Sequence, residues 1–421
     1  MIGKKSAGLR LKDTQSTPVQ SGEKLDDAGL VKLKALIDFA EAQVLLDYKA
    51  TFPKARGLSA TVRSAYTEQE SPKFVSKEAS AFKGRCLAYV KIALWKSGYA
   101  NNITGTENAK DSGPDWVKFG FKDVTNSLPQ VEVDYGICFT ADEAKLKKQH
   151  ANLKQKKMDG RISPVEYLER VSKLPPEPAG RGITHVQANL MYTLPGDVIV
   201  YEQVKPTDTS AAGHIDIRTY HGFVSDAAWG IMPALGGTGR GSKRYRVTGV
   251  YRKSSDTLAW ARVQAFLRII REHEAKGFKD PYHALRFDPK ERSNPFVTFS
   301  NFSDHPHSIN KIDKPAGAYQ IKPDTWKRVT EQLTGWSKEF SPEGQDRAAL
   351  LLLQIRNETR PDGAMSKTAL GYILEEKIED AAIKTKLHNE WAFLPGGGKQ
   401  SQINMSDLKS KFAKYVQEHA K

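Results

Sequence analysis

Phe266-Leu267-Arg268-Ile269-Ile270-Arg271-Glu272-His273-Glu274 closes a run from Trp260 that contains neither Gly nor Pro. Its apolar residues recur with a helical period, and Val263, Phe266, Leu267 and Ile270 fall on one stripe. At about 100° per residue, Glu274 lies within about 20° of Val263, and Glu272 falls on the opposite side. The phase therefore predicts an inward Glu274 and a solvated Glu272. Burial disfavours a charged carboxylate and raises its pKa. A glutamate kept protonated near neutral pH can donate a proton to a glycosidic oxygen. The structural alternative is a helix-end glutamate that turns to solvent or pairs with Lys276 or His273.

Three unusual segments follow: Phe302-Ser303-Asp304-His305-Pro306, Gly317-Ala318-Tyr319-Gln320-Ile321 and Phe393-Leu394-Pro395-Gly396-Gly397-Gly398. With Trp326, Phe340-Ser341-Pro342, Gln345-Asp346 and Trp391-Ala392 they form an ordered set across nearly all of 260–421. This set resembles the lambda-type phage endolysins, a lysozyme-like family that cuts the glycan strands of peptidoglycan. The resemblance implies a mostly helical domain with Glu274 as its single catalytic glutamate. It also implies a cleft wall at 317–320 in which Tyr319 and Gln320 contact sugar. The chain departs from the family at Ala275, where a Gly is usual, and segment 311–320 is one residue shorter. Hydrolytic lysozymes use a second carboxylate. Lambda-type enzymes lack it and release an internal anhydro sugar, so the resemblance implies lytic transglycosylation, with hydrolysis second. Asp304 is the obvious acid inside the matching segments and a candidate substrate contact. An Asp in a Ser-Asp-His-Pro run also bonds its own backbone, and that turn-forming role is the favoured reading.

A second constellation lies upstream. Phe82-Lys83-Gly84-Arg85-Cys86-Leu87-Ala88-Tyr89-Val90 reads as a helix start, and the helix stops at Ser97-Gly98. Cys86 in the first turn meets unpaired N–H groups and the helix dipole, which favour a thiolate, and Arg85 adds positive charge. Leu194-Pro195-Gly196-Asp197-Val198 turns into a buried strand. Gly213-His214-Ile215-Asp216-Ile217-Arg218 alternates, so His214, Asp216 and Arg218 share one face. A Cys on a helix start followed by a His on a strand resembles the CHAP-type amidases and endopeptidases, papain-like enzymes that cut peptidoglycan peptides. The resemblance covers roughly 76–252 and implies Cys86 as nucleophile and His214 as base, with a polar residue on the next strand as orienter. Asp226 holds that position. Asp216 is the rival, and hairpin register decides between them.

The fold expected is α+β: a papain-like (CHAP-type) domain at 76–252, then a mostly helical lysozyme-like domain at 258–421, with the boundary near 252–257. Residues 1–27 read as a mobile tail and 28–75 as a helical segment with its apolar stripe at Leu30, Leu33, Ile37, Ala40, Val44 and Tyr48. A basic insertion at 141–173 breaks at Asp159-Gly160. Leu235 to Ser242 reads as a Gly-rich loop.

Composition narrows the partners. The 421 residues carry a formal charge of +15, which suits an anionic partner such as the bacterial wall. No P-loop, Rossmann or zinc-finger spacing is present, the charge is spread along the chain, and nucleic acid is not expected. Neither a metal nor a cofactor is implied; His305 and His307 read as loop residues. Two cysteines, Cys86 and Cys138, exclude a disulfide framework. Cys138, in an apolar strand-like run, reads as a packed thiol. No run is long enough to span a membrane, and Met1-Ile2-Gly3-Lys4-Lys5 is not followed by an apolar signal segment. The expected course is synthesis in the cytoplasm and action on peptidoglycan in the periplasm or wall of a target bacterium. Delivery as a phage lysin, through a phage-tail component, or as a secretion-system effector with an immunity protein all fit.

Overall fold

The computed structural model describes residues 23–51, 86–100, 108–204, 213–225, 229–230, 245–285, 297–310, 313–330, 336–358 and 366–420. Most of the expected tail, the Gly-rich loop at 235–242 and Asp226 lie outside the described residues.

Helix α1 (Asp27–Thr51) buries Leu33, Leu36, Ile37 and Ala40 against helix α2 (Cys86–Lys96). Strand β1 (Lys122–Asp123) precedes a two-stranded antiparallel ribbon, β2 (Gln130–Cys138) and β3 (Arg181–Ala188). The expected insertion connects the two ribbon strands as helices α3 (Ala141–Met158) and α4 (Pro164–Ser172). A Thr140–Glu143 capping box starts α3, and its C-cap is Asp159, at the expected break. Then come β4 (Val198–Gln203), β5 (His214–Arg218), β6 (Phe223–Val224), β7 (Trp229–Gly230) and β8 (Tyr245–Arg252). They form one antiparallel sheet in the order β1-β8-β4-β5-β6-β7.

Period-two alternation gives this sheet two apolar faces. Val198, Val200, Ile215 and Ile217 pack with α1 and α2, while Ile199, Tyr201, Phe223 and Val250 face the other way. The Leu194–Asp197 turn is locked by Asp197, whose carboxylate accepts two 2.7 Å bonds from Arg252 and a third from the Leu194 N–H.

The C-terminal half is mostly helical. Helix α5 (Thr257–Glu274) starts at Asp256, whose carboxylate accepts from the Leu258 N–H. Helices α6 (Pro342–Ile355), α7 (Ala369–Leu374), α8 (Ile378–Ile383) and α9 (Met405–His419) follow, and α5 packs on α7 and α9. The chain is thus α+β, with the large sheet upstream and the helices downstream.

The two halves share one apolar core. The second face of the sheet, the ribbon and the downstream helices form a single buried cluster. Tyr192 lies against Trp260 at 5.0 Å between ring centres, and Val133 bridges to Trp336. Polar contacts fix the join. Gln354 of α6 accepts from Arg218 at 3.2 Å and donates to the His221 carbonyl at 2.9 Å. The His221 ring accepts from the Thr368 N–H and sits 3.4 Å from Glu375. Gly371 is required there, because a Cβ at that position would meet His221 Nδ1 at 2.0 Å.

Candidate active sites

Helix α2 packs on β5 and brings its first residue, Cys86, to the first residue of β5, His214; the two side chains are hydrogen-bonded. His214 Nε2 lies 2.9 Å from Asp216 Oδ1. Two residues along a strand face the same way, so this contact follows from the local sequence alone. Burial acts to lower the His214 pKa. The Asp216 carboxylate, and then Cys86, overcome that and carry it up to about 11. The imidazole is therefore charged at neutral pH and lies in hydrogen-bond contact with the sulfur. The rings of Tyr201 and Tyr245 flank it, with centres 5.7 and 5.5 Å away. Asp216, the rival in the sequence reading, is the carboxylate in contact with His214. Asp226 lies outside the described residues.

Glu274 is the last residue of α5. It is half-buried and not enclosed in the core; the inward stripe ends in Ile270, Arg271 and Ala275, all buried. Next to Glu274, His273 stacks on Phe393 of the Gly-rich segment, with centres 4.4 Å apart. Glu272 differs from expectation as well. It is held by Arg268 at 3.0 Å and by the Tyr415 hydroxyl of α9 at 2.6 Å, so helix packing removes it from free solvent. Burial would raise its carboxyl pKa, but these donors hold it below the usual range.

The Gly317–Gln320 segment is a tight turn closed by the Ala316–Ile321 bridge. Gly317 takes a positive φ of 76°, and a Cβ there would meet Gln345 Oε1 at 2.2 Å. Gln345 is fully buried. It accepts from the Ala318 N–H at 2.8 Å and donates to the carbonyls of Tyr282 and Phe340. Tyr319, expected to contact sugar, is 1% exposed; its hydroxyl accepts from Arg271 at 2.8 Å and donates to Asp346. Tyr282 donates to the same carboxylate at 2.9 Å. Burial raises the Asp346 pKa, with Arg271 and the two tyrosines acting against it. Gln320 is half-buried and donates to the Gly317 carbonyl at 2.9 Å, so it braces the turn.

The sequence reading missed this hub of Arg271, Tyr282, Tyr319 and Asp346. The signal was present: Arg271 lies four residues beyond Leu267, on the apolar side of α5. Asp304 accepts from the His305 N–H at 2.6 Å and the Trp326 indole at 3.0 Å, the geometry of a turn-former. His305 Nε2 donates to the Ile321 carbonyl at 2.8 Å, and burial pushes its pKa down to about 4, so it is neutral. Among the described residues, no group of His, Cys, Asp and Glu could hold a metal ion, and no helix is long and apolar enough to cross a membrane.

No curated protein and no solved structure matches the chain. Residues 264–418 match the family model described as Endolysin, a span that holds Glu274, the Gly317–Gln320 turn and the Arg271–Asp346 hub, so the C-terminal region is endolysin-like.

Proposed function

We propose that the chain degrades bacterial peptidoglycan with two cutting sites, one for glycan strands and one for stem peptides. The observation that carries this reading is the endolysin match over 264–418, with Glu274 at a helix end inside it. Glu274 protonates the glycosidic oxygen as its bond to the anomeric carbon breaks. The carboxylate then takes the proton of a hydroxyl on the same sugar while that oxygen closes onto the anomeric carbon, giving the anhydro product. Water in place of that hydroxyl gives hydrolysis.

The contact of Cys86, His214 and Asp216 supports the second site. The sulfur attacks a stem-peptide carbonyl, and His214 passes its proton to the leaving amine. Water then attacks the thioester while His214 accepts its proton, and the sulfur leaves. Asp216 orients the imidazole throughout. A chain of this kind reaches the wall as a phage lysin or a secretion-system effector, and an effector's producer would hold an immunity protein.

Mass spectrometry of digested sacculi tests both sites. Glu274→Gln should abolish glycan products and leave peptide products, and Cys86→Ala should do the reverse. Intact sacculi after wild-type treatment would sink the reading, and glycan products with reducing ends alone would replace transglycosylation with hydrolysis.

A further inference from the structure

Helices α3 and α4 form a hairpin carried on the β2–β3 ribbon, and their mutual contact is small. The face between them buries only His150 and Ile162, with His150 Nε2 on the Pro175 carbonyl at 2.9 Å. Three large apolar side chains lie outside that face: Met158 is 71% exposed, Val165 76% and Leu168 65%. Eight large apolar residues are exposed among all described residues, and three of them lie in this one hairpin. Val165 and Leu168 stand three apart on α4 and so share one side of it. Single exposed apolar residues are ordinary, but a cluster marks a contact surface.

The charge beside this cluster identifies what it contacts. Residues 141–173 hold nine Lys and Arg against five Asp and Glu. The charges of α4 cancel within the helix, through Glu166–Arg170 at 2.6 Å and Glu169–Lys173 at 2.7 Å. The excess therefore sits on α3, where none of Lys145, Lys148, Lys154 and Lys156 is ion-paired to a described residue. Lys154 stands four residues before the exposed Met158 and so shares its side of α3, and Lys157 lies 4.8 Å over the Tyr167 ring of α4. A charged sugar polymer would engage the lysines and leave the apolar side chains in water. A lysine beside an exposed Met, on a basic hairpin that also exposes Val165 and Leu168, matches a surface with anionic head groups over acyl chains. We propose that the α3–α4 hairpin docks the protein on an anionic lipid surface.

Sedimentation of the full chain with phosphatidylcholine vesicles, with and without phosphatidylglycerol, tests this without any turnover, so its outcome is separate from that of wall cleavage. The anionic vesicles should bind the wild type at least tenfold more tightly than the neutral ones, and added salt should weaken binding. The combined change Met158→Ser, Val165→Ser, Leu168→Ser should reduce binding at least tenfold. The circular dichroism spectrum and melting temperature should not change, since all three side chains are exposed. Leu168→Ser alone should give a smaller loss and serves if the triple variant misfolds. No binding of wild type to anionic vesicles overturns the proposal, as does equal binding by wild type and both variants. Loss of binding to purified sacculi in the triple variant, with no vesicle binding by wild type, would assign the surface to the wall polymer and overturn it too.

Discussion

His214 is caught between burial, which resists its charge, and two partners, Asp216 and Cys86, that favour it. Asp216 supplies the larger share of that effect. Asp216→Asn should therefore lower peptide cleavage by about 10²- to 10⁴-fold, the scale seen when a catalytic imidazole loses its carboxylate. An NMR titration of His214 in that variant should fall from about 11 toward the ordinary imidazole range. Asp226→Asn should leave both the rate and the titration near wild type; the opposite pattern would make Asp226 the orienter. The sequence alone held the material for this choice. His214 and Asp216 are two apart on a strand, and their contact needs no knowledge of hairpin register, whereas Asp226 needs it completely.

At the scale of elements, the Gly317–Gln320 turn depends on the start of α6. Gln345 satisfies three backbone groups, two of them buried, across three segments. Gln345→Ala would leave them without partners and should destabilise the protein by ~3 kcal/mol, measured by urea unfolding. Glycan cleavage should fall with it, while peptide cleavage measured well below the unfolding midpoint persists. Helical phase made α5 legible from Trp260 to Glu274, and Asp159-Gly160 made the α3–α4 break legible, because those signals are local. The burial of Tyr319 was not legible, for the opposite reason. A turn sequence fixes where the chain reverses but not which side of it faces the core, and that side is set by Arg271 and Asp346, distant in sequence. The β2–β3 pairing escaped the sequence reading likewise, since an insertion of two helices separates its strands.

At the scale of the whole molecule, one buried cluster runs from the sheet to α9. Unfolding followed by fluorescence and by circular dichroism should therefore give coincident single transitions. The join has a pH dependence of definite sign. Burial would raise the Glu375 pKa, but His221 and Lys377 hold it at about 2, against 4.5 for a free glutamate. Its contribution to stability is full above about pH 4.5 and is lost as pH falls through about 2. Glu375→Gln should lower the melting temperature at neutral pH and flatten its decline over that acid window; an unchanged acid limb would show that the pair contributes nothing.

Strand β5 runs from His214, at the sulfur, to Arg218, bonded to Gln354 of the helical half. At about 3.3 Å per residue, those ends stand about 13 Å apart. The strand is therefore a ruler: it sets the offset between the Cys86–His214 contact and the join to the helical half.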